Sequence, residues 1–410
     1  MNRLLFIPIC FLVFHKAQAQ SGCTDTQALN YDVNAVVNDG SCVYPPTTLP
    51  SQVLCDIDSI FLEETSGIVP LGPDLWSHAD GAEHTIYRID SLSPAILQPV
   101  DVNRGGNTDW EDMTWSGDYV YIGDFGNNSG SRTNLRILRV LRSDITDTTT
   151  NVDADIINFY YVDQVDFTAN HNNHPFDCEA FFFWNDSLHL FTKDWANHRT
   201  KHYIIPADTG NHAAQVVDSF DVQGLITSAS IQDDGLIVLL GYSFSGGAQC
   251  FVWMLNDYEG GRFFSGNKRR FFLGSPGVVG QSEGICLRGE NKGYITNEKF
   301  QQFIFNVPPQ LRAFDLSPYL IQSTVAMDEL TDPDEIILQQ TDQRLLVSLR
   351  SEKYPDTDLI VSDSLGRILF KEKISGNNIE ISTGDWPPGV YSIAVYRHGQ
   401  KAFGRSIVVR

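Results

Sequence analysis

Between residues 52 and 316 the chain alternates short apolar runs with Gly, Asn and Asp turns, and no stretch of helical period stands out. One pattern returns five times: Glu64-Thr65-Ser66-Gly67-Ile68, Asp109-Trp110-Glu111-Asp112-Met113, Asp177-Cys178-Glu179-Ala180-Phe181, Ile226-Thr227-Ser228-Ala229-Ser230 and Gln281-Ser282-Glu283-Gly284-Ile285. Each copy sets two mostly polar positions two apart, then a small or short residue and usually an apolar run, and reads as the start of an inner strand. Second strands follow at 74–78, 119–123, 188–192, 236–240 and 292–296, and end at Asp80, Asp124, Asp194, Tyr242 and Asn297. Third strands are predicted at 85–89, 135–140, 201–205, 250–255 and 302–307. Fourth strands are predicted at 96–102, 156–162, 216–222 and 269–273. The copies recur near the roughly 40–50 residues that a four-stranded blade needs. The wider gap between 111 and 179 predicts an insertion near 144–170. The pattern predicts an all-β chain, with a five-bladed β-propeller over 52–316 and six blades as the alternative. The run 52–61 would supply the last outer strand and close the ring, leaving only short sheet edges.

Strand geometry turns the repeat into a site. The start of one strand and the end of its antiparallel neighbour lie side by side, and residues two apart face the same way. The copies therefore build two rings at one channel mouth: Glu64, Asp109, Asp177, Ile226, Gln281, and then Ser66, Glu111, Glu179, Ser228, Glu283. Six carboxylates converge: Glu64, Asp109, Glu111, Asp177, Glu179 and Glu283. Acids packed this way hold a cation, share protons as catalytic acids, or cap strand ends by bonding loop amides. Oxygen ligands without a histidine cluster favour calcium over zinc. Asp124 and Asp194 are the candidates to orient water, and Lys193, Arg132 and Trp195 the candidates to bind substrate. Arg104 and Lys299 lie beside the same rim. His171-Asn-Asn-His174 has only loose metal spacing. Trp76, Trp110, Trp195, Phe125 and Tyr242 are the aromatic contacts that a non-catalytic binding propeller would use.

The segments Trp110-Glu111-Asp112-Met113, Tyr121-Ile-Gly-Asp124-Phe-Gly-Asn127-Asn and Gln281-Ser-Glu283-Gly284 resemble propellers of the SdiA-regulated and esterase-like phytase type. That resemblance implies a metal-dependent ester or phosphoester hydrolase with channel-mouth acids holding the ion. The fourth copy departs from it, with Ser228 where an acid would stand.

The flanks add location. Residues 1–20 carry an early Arg3, an apolar run and a small-residue end, the pattern of a secretory signal peptide. No later stretch is long and apolar enough to span a bilayer as a helix. The formal net charge of −22 argues against nucleic acid as a partner. Cys23 and Cys42 are the one pair whose spacing suggests a disulfide. Residues 21–46, with Gly22-Cys23-Thr24-Asp25, Asn30-Tyr31 and Asp39-Gly40-Ser41-Cys42, resemble a small module common in exported proteins of Bacteroidota. Its Asp25, Asn30, Asp32, Asn34 and Asp39 are turn residues bonding their own backbone, or calcium ligands. Residues 47–51 read as a linker, as do 317–334. Over 335–410 the pieces Asp363-Ser-Leu-Gly-Arg367, Pro388-Gly-Val-Tyr391 and the terminal Ile407-Val-Val-Arg410 resemble the C-terminal sorting domain of the type IX secretion system, a small β-sandwich. This implies passage through that machinery to the outer cell surface or beyond; the ligand expected for the propeller is a small molecule or glycan.

Overall fold

The computed structural model describes residues 20–320 except 58, 59, 82, 94 and 303, together with residues 336–341, 344–349, 357–363, 367–373, 378–383, 386–387, 389–397 and 400–409. The signal peptide expected over 1–20, all but its last residue, and the segment 321–335 lie outside the described residues. The chain divides into two compact units, 1–321 and 322–410.

Strands dominate the first unit. Among the described residues it holds five four-stranded antiparallel arrays. Their inner strands are Thr65–Leu71, Trp110–Trp115, Asp177–Trp184, Leu225–Ile231 and Gln281–Gly289. Each inner strand packs on the next, and Gln281–Gly289 packs back on Thr65–Leu71, so the circuit closes. One apolar cluster lies between each neighbouring pair of arrays. Both faces of a strand such as Ile237–Ser243 are thus covered, which is why it reads as a continuous apolar run instead of an alternating one. The architecture is propeller-like.

The N-terminal segment completes the circuit. Ser51–Asp56 pairs with Gln310–Asp315 as the outer strand of the fifth array. The third strand of that array is Gln310–Asp315, not 302–307. The latter stretch contributes to a separate hairpin of Phe300–Gln302 with Phe305–Val307. Phe305 is exposed there, and the apolar pattern alone could not separate a hairpin from a blade strand. The predicted linker is also bound: Thr47–Thr48 adds a parallel edge to Phe271–Phe272. The second and third arrays join edge to edge where Asp155–Tyr161 pairs in parallel with Gly210–Phe220.

A strand at the centre of such a ring has an open edge whose amides need partners. Polar side chains of neighbouring inner strands supply them. Thr114 Oγ1 accepts the Phe183 N–H at 3.2 Å, Ser228 Oγ accepts Ile285 N–H at 3.1 Å, and Ser230 Oγ accepts Leu287 N–H at 3.0 Å. The small residue of the motif permits the close approach. A Cβ on Gly67 would overlap the backbone of Asp112 and Met113, and one on Gly284 would overlap the Ser66 carbonyl.

The Cys23–Cys42 disulfide is formed. In its module Asp25 accepts Gln27 N–H, Asp32 accepts Asn34 N–H, and Asp39 accepts Ser41 N–H, the turn arrangement. The second unit is a two-sheet sandwich. One sheet is Ile336–Thr341, Arg344–Leu349 and Asn378–Ser382, and the other Ile368–Lys373, Thr357–Asp363, Gly389–Arg397 and Gln400–Val409. Leu345, Val347, Leu359, Val361, Ile381, Tyr391 and Ile393 form its core. Among the described residues no helix is long and apolar enough to cross a membrane.

Candidate functional site

All five inner strands carry a register shift within the repeated pattern. A β-bulge adds one residue and re-aims its side chain. The extra position falls at Glu179 between Cys178 and Ala180, at Glu283 between Ser282 and Gly284, and at Thr227 between Ile226 and Ser228. Ser66 and Glu111 occupy the same place in the first two strands. The fourth copy is therefore framed one residue earlier than the sequence spacing suggests. Leu225 and Thr227, not Ile226 and Ser228, stand at the ring positions. The register also shifts the facing residues: Asp177 pairs with Lys193, Leu225 with Tyr242, and Gln281 with Glu298.

Three carboxylates meet at this mouth. One oxygen from each of Asp80, Asp109 and Glu111 lies within 4.8 Å of the others. Glu111 is only 6 % exposed, and none of the described residues gives its carboxylate a hydrogen bond or an ion pair. Burial, and then the charges of Asp109, Glu283 and Glu64, push Asp80 up to about 7. Burial, followed by Glu179, Asp80 and Asp109, raises Glu111 well above the usual carboxylate range. The loop after Asp124 closes over the group, because Gly126 has no Cβ. A methyl there would overlap Oε1 of Glu111 and the Asp109 carboxylate. Asp80 was legible as a strand-end acid, but only the fold brings it to Glu111. Glu64 is exposed beside it, its carbonyl accepting the Asp80 N–H at 2.8 Å.

The other predicted ligands are engaged differently. Asp177 accepts Asn127 N–H at 2.5 Å, Asn128 Nδ2 at 3.1 Å and Trp195 Nε1 at 2.7 Å, so its carboxylate serves the loops. Glu179 Oε2 pairs with Lys193 Nζ at 3.1 Å, and both are buried. Burial works against the Lys193 charge, yet Glu179, with Tyr242 and Glu283, holds its ammonium well above the ordinary lysine value. Gln281 Nε2 donates to Glu283 at 2.7 Å and to Glu298 at 3.0 Å. Burial and Glu283 raise Glu298 in turn.

The two acids expected to orient water are held by the scaffold. Asp124 is fully buried between Arg132 at 2.9 Å and Arg136 at 2.7 Å. Asp194 accepts the amides of Ala196 and Asn197 in its own turn. Arg132 also donates to the Gly126 carbonyl, so its guanidinium faces protein. Arg104 pairs with Asp153, and Lys299 with Glu63. Both ring nitrogens of His174 bond backbone groups, and His171 is exposed, so the two do not form a metal pair. Trp76, Trp110 and Phe125 are core residues, whereas Phe244, which no repeat position marks, is 66 % exposed and packs edge-on against Tyr242.

Asp112 is the residue that strand alternation missed. It is fully buried, and its carboxylate accepts the amides of Met113, Phe181 and Ala229 and the Ser228 hydroxyl. It ties three inner strands together across the channel. Further along those strands, a cavity of about 180 Å³ is lined by Thr114, Trp115, Trp184 and Gln232. The acid mouth and this cavity belong to opposite ends of the inner strands.

No protein-family model matches the sequence, and no curated protein matches it. Solved structures do. The PQQ-bound aldose sugar dehydrogenase of Streptomyces coelicolor matches 66 % of this chain with 99 % of its own, at 13 % identity and a TM-score of 0.40. Glutaminyl cyclase of Myxococcus xanthus matches 66 % of this chain with 99 % of its own, at 10 % identity and 0.41. PorZ of Porphyromonas gingivalis, a surface component of the type IX secretion system, matches 84 % of this chain with 45 % of its own, at 12 % identity and 0.31.

Proposed function

We propose that the first unit binds one divalent cation at Asp80, Asp109 and Glu111 and hydrolyses an ester or phosphoester at that mouth. The three converging carboxylates, with Glu111 buried and unserved by any donor among the described residues, are the observation that carries this reading. A buried carboxylate without a partner is costly unless a proton or a cation joins it. An all-oxygen donor set suits a hard ion, and calcium is the reading's choice. When bound, such an ion polarises a carbonyl or phosphoryl oxygen and acidifies water. Glu64 adds negative charge at the rim, and Trp195, held by Asp177, presents its ring beside Lys193. The chain's N-terminal signal, its Cys23–Cys42 disulfide and its C-terminal sandwich fit export through the type IX secretion machinery to the outer surface.

The test is metal content together with thermal melting with and without chelator, followed by an ester and phosphoester screen of wild type, Glu111→Gln and Asp80→Asn. A melting temperature indifferent to chelator, together with unchanged turnover in both variants, would sink the reading. One observation favours a second reading, a non-catalytic propeller that binds glycan or protein. Asp124 and Asp194 are both occupied by the scaffold, which leaves no free acid among the expected water-orienting residues. Calcium binding without turnover on any ester would select it.

A further inference from the structure

We infer that the Lys193 ammonium fills a second cation position in the mouth and so limits the site to one metal ion. This rests on the reading that Asp80, Asp109 and Glu111 bind a cation. The register gives the argument. Glu111, Glu179 and Glu283 occupy the same bulge position in three inner strands, and all three are buried. Asp80 lies opposite Glu64, Lys193 opposite Asp177, and Glu298 opposite Gln281, again one equivalent place in three arrays. In the first array that place holds an acid, which joins Asp109 and Glu111 in a cluster whose one ion pair among the described residues is Arg132 Nη1 at 4.0 Å from Asp109, with none on Asp80 or Glu111. In the third it holds a lysine, whose Nζ lies 3.1 Å from Glu179 Oε2.

The rings of Trp195 and Tyr242 wrap that ammonium at 5.0 and 5.2 Å. Aromatic faces attract a cation and exclude water from it. Glu283 lies within the same electrostatic neighbourhood. Buried carboxylates demand a nearby positive charge, which either a lysine or a bound ion can supply. The protein supplies it covalently beside Glu179, whereas Glu111 and Asp80 have no ion-pair partner among the described residues. Removing the amine returns Glu179 to the condition of Glu111 and leaves Glu283 with the Gln281 amide.

The experiment is calcium stoichiometry on the full chain by isothermal titration and equilibrium dialysis. Wild type is expected to bind one equivalent at the mouth, Lys193→Met two, and the double variant Lys193→Met/Glu179→Gln one. A single equivalent in Lys193→Met, or two in wild type, overturns the inference while leaving the metal reading intact. No binding in wild type overturns both. If Lys193→Met does not fold, Lys193→Gln is read by melting. Calcium must then raise its melting temperature more than it raises that of wild type, and an equal or smaller rise overturns the inference.

Discussion

Replacing Asp112 with alanine should loosen the ring at its centre. The Asp112 carboxylate accepts Met113 N–H at 2.9 Å, Ala229 N–H at 3.1 Å, Phe181 N–H at 3.3 Å and Ser228 Oγ at 3.0 Å. Alanine leaves the two cross-strand amides, of Phe181 and Ala229, buried without a partner. Each such orphan costs about 1–3 kcal/mol. Against this stands the cost of burying the carboxylate, which raises its pKa well above the usual range even with those donors in place. Setting the larger amide loss against that recovery gives a net destabilisation of about 3 kcal/mol. For a chain of this size, about 2–4 °C accompanies each kcal/mol. Asp112→Ala should then melt about 6–12 °C below wild type. Asp112→Asn keeps the shape and one acceptor oxygen and should lose about half as much. Calorimetric melting of the three proteins in chelator, so that metal binding does not intrude, is the assay. If Asp112→Ala melts within about 1 °C of wild type, the carboxylate does not hold these strands together and the reasoning fails.

Further consequences can be measured independently. Gly126→Ala should weaken calcium binding about tenfold or more, roughly 1.4 kcal/mol, while leaving the melting temperature in chelator nearly unchanged. The added methyl displaces the Glu111 and Asp109 carboxylates and no backbone atom among its nearest neighbours. A tighter or unchanged calcium titration refutes this. Burial, then the His202 ring, holds His189 down to about 3. The unfolded chain takes up that proton near pH 6.5, so it binds more protons than the folded chain between about 6.5 and 3. Stability is therefore lost as pH falls through that window, by up to about 1.4 kcal/mol per pH unit for this one group. Relative to wild type, His189→Phe should show a shallower decline on acidification, read from denaturant melts at a series of pH values. Cys23→Ala/Cys42→Ala should expose residues 20–46 to proteolysis yet lower the main melting transition by only a few degrees. Ser51–Asp56 holds the outer edge of the fifth array through its own ladder. Loss of the whole cooperative transition would contradict it.

Much of the molecule could be read from local pattern. The five repeats, their small residue and the apolar strands behind them announced the inner strands, and the closing role of 52–61 followed from a missing outer strand. Cys23 with Cys42 was read correctly because a short loop leaves few choices. The hairpin at Phe300–Val307 was misread because three apolar residues in a row look alike in a blade and in a loop excursion.

The arrangement of the mouth acids was only half visible. Glu111, Glu179 and Glu283 were found because identical residues recur at one place in the repeat. What each carboxylate meets was not found, because a bulge adds a residue without leaving a mark on the apolar pattern. It moved the fourth frame from Ser228 to Thr227 and the facing residues to Lys193 and Glu298. Asp80 joins Asp109 and Glu111, and Asp112 reaches Ala229, across gaps that no sequence period spans. Alternation and turn chemistry are short-range, so most of the blade strands and the placement of the charges along them follow from the chain's local pattern. The tertiary structure decided which charges share a mouth and which are consumed as structural partners, since that depends on the bulges and on how the inner strands close around one axis.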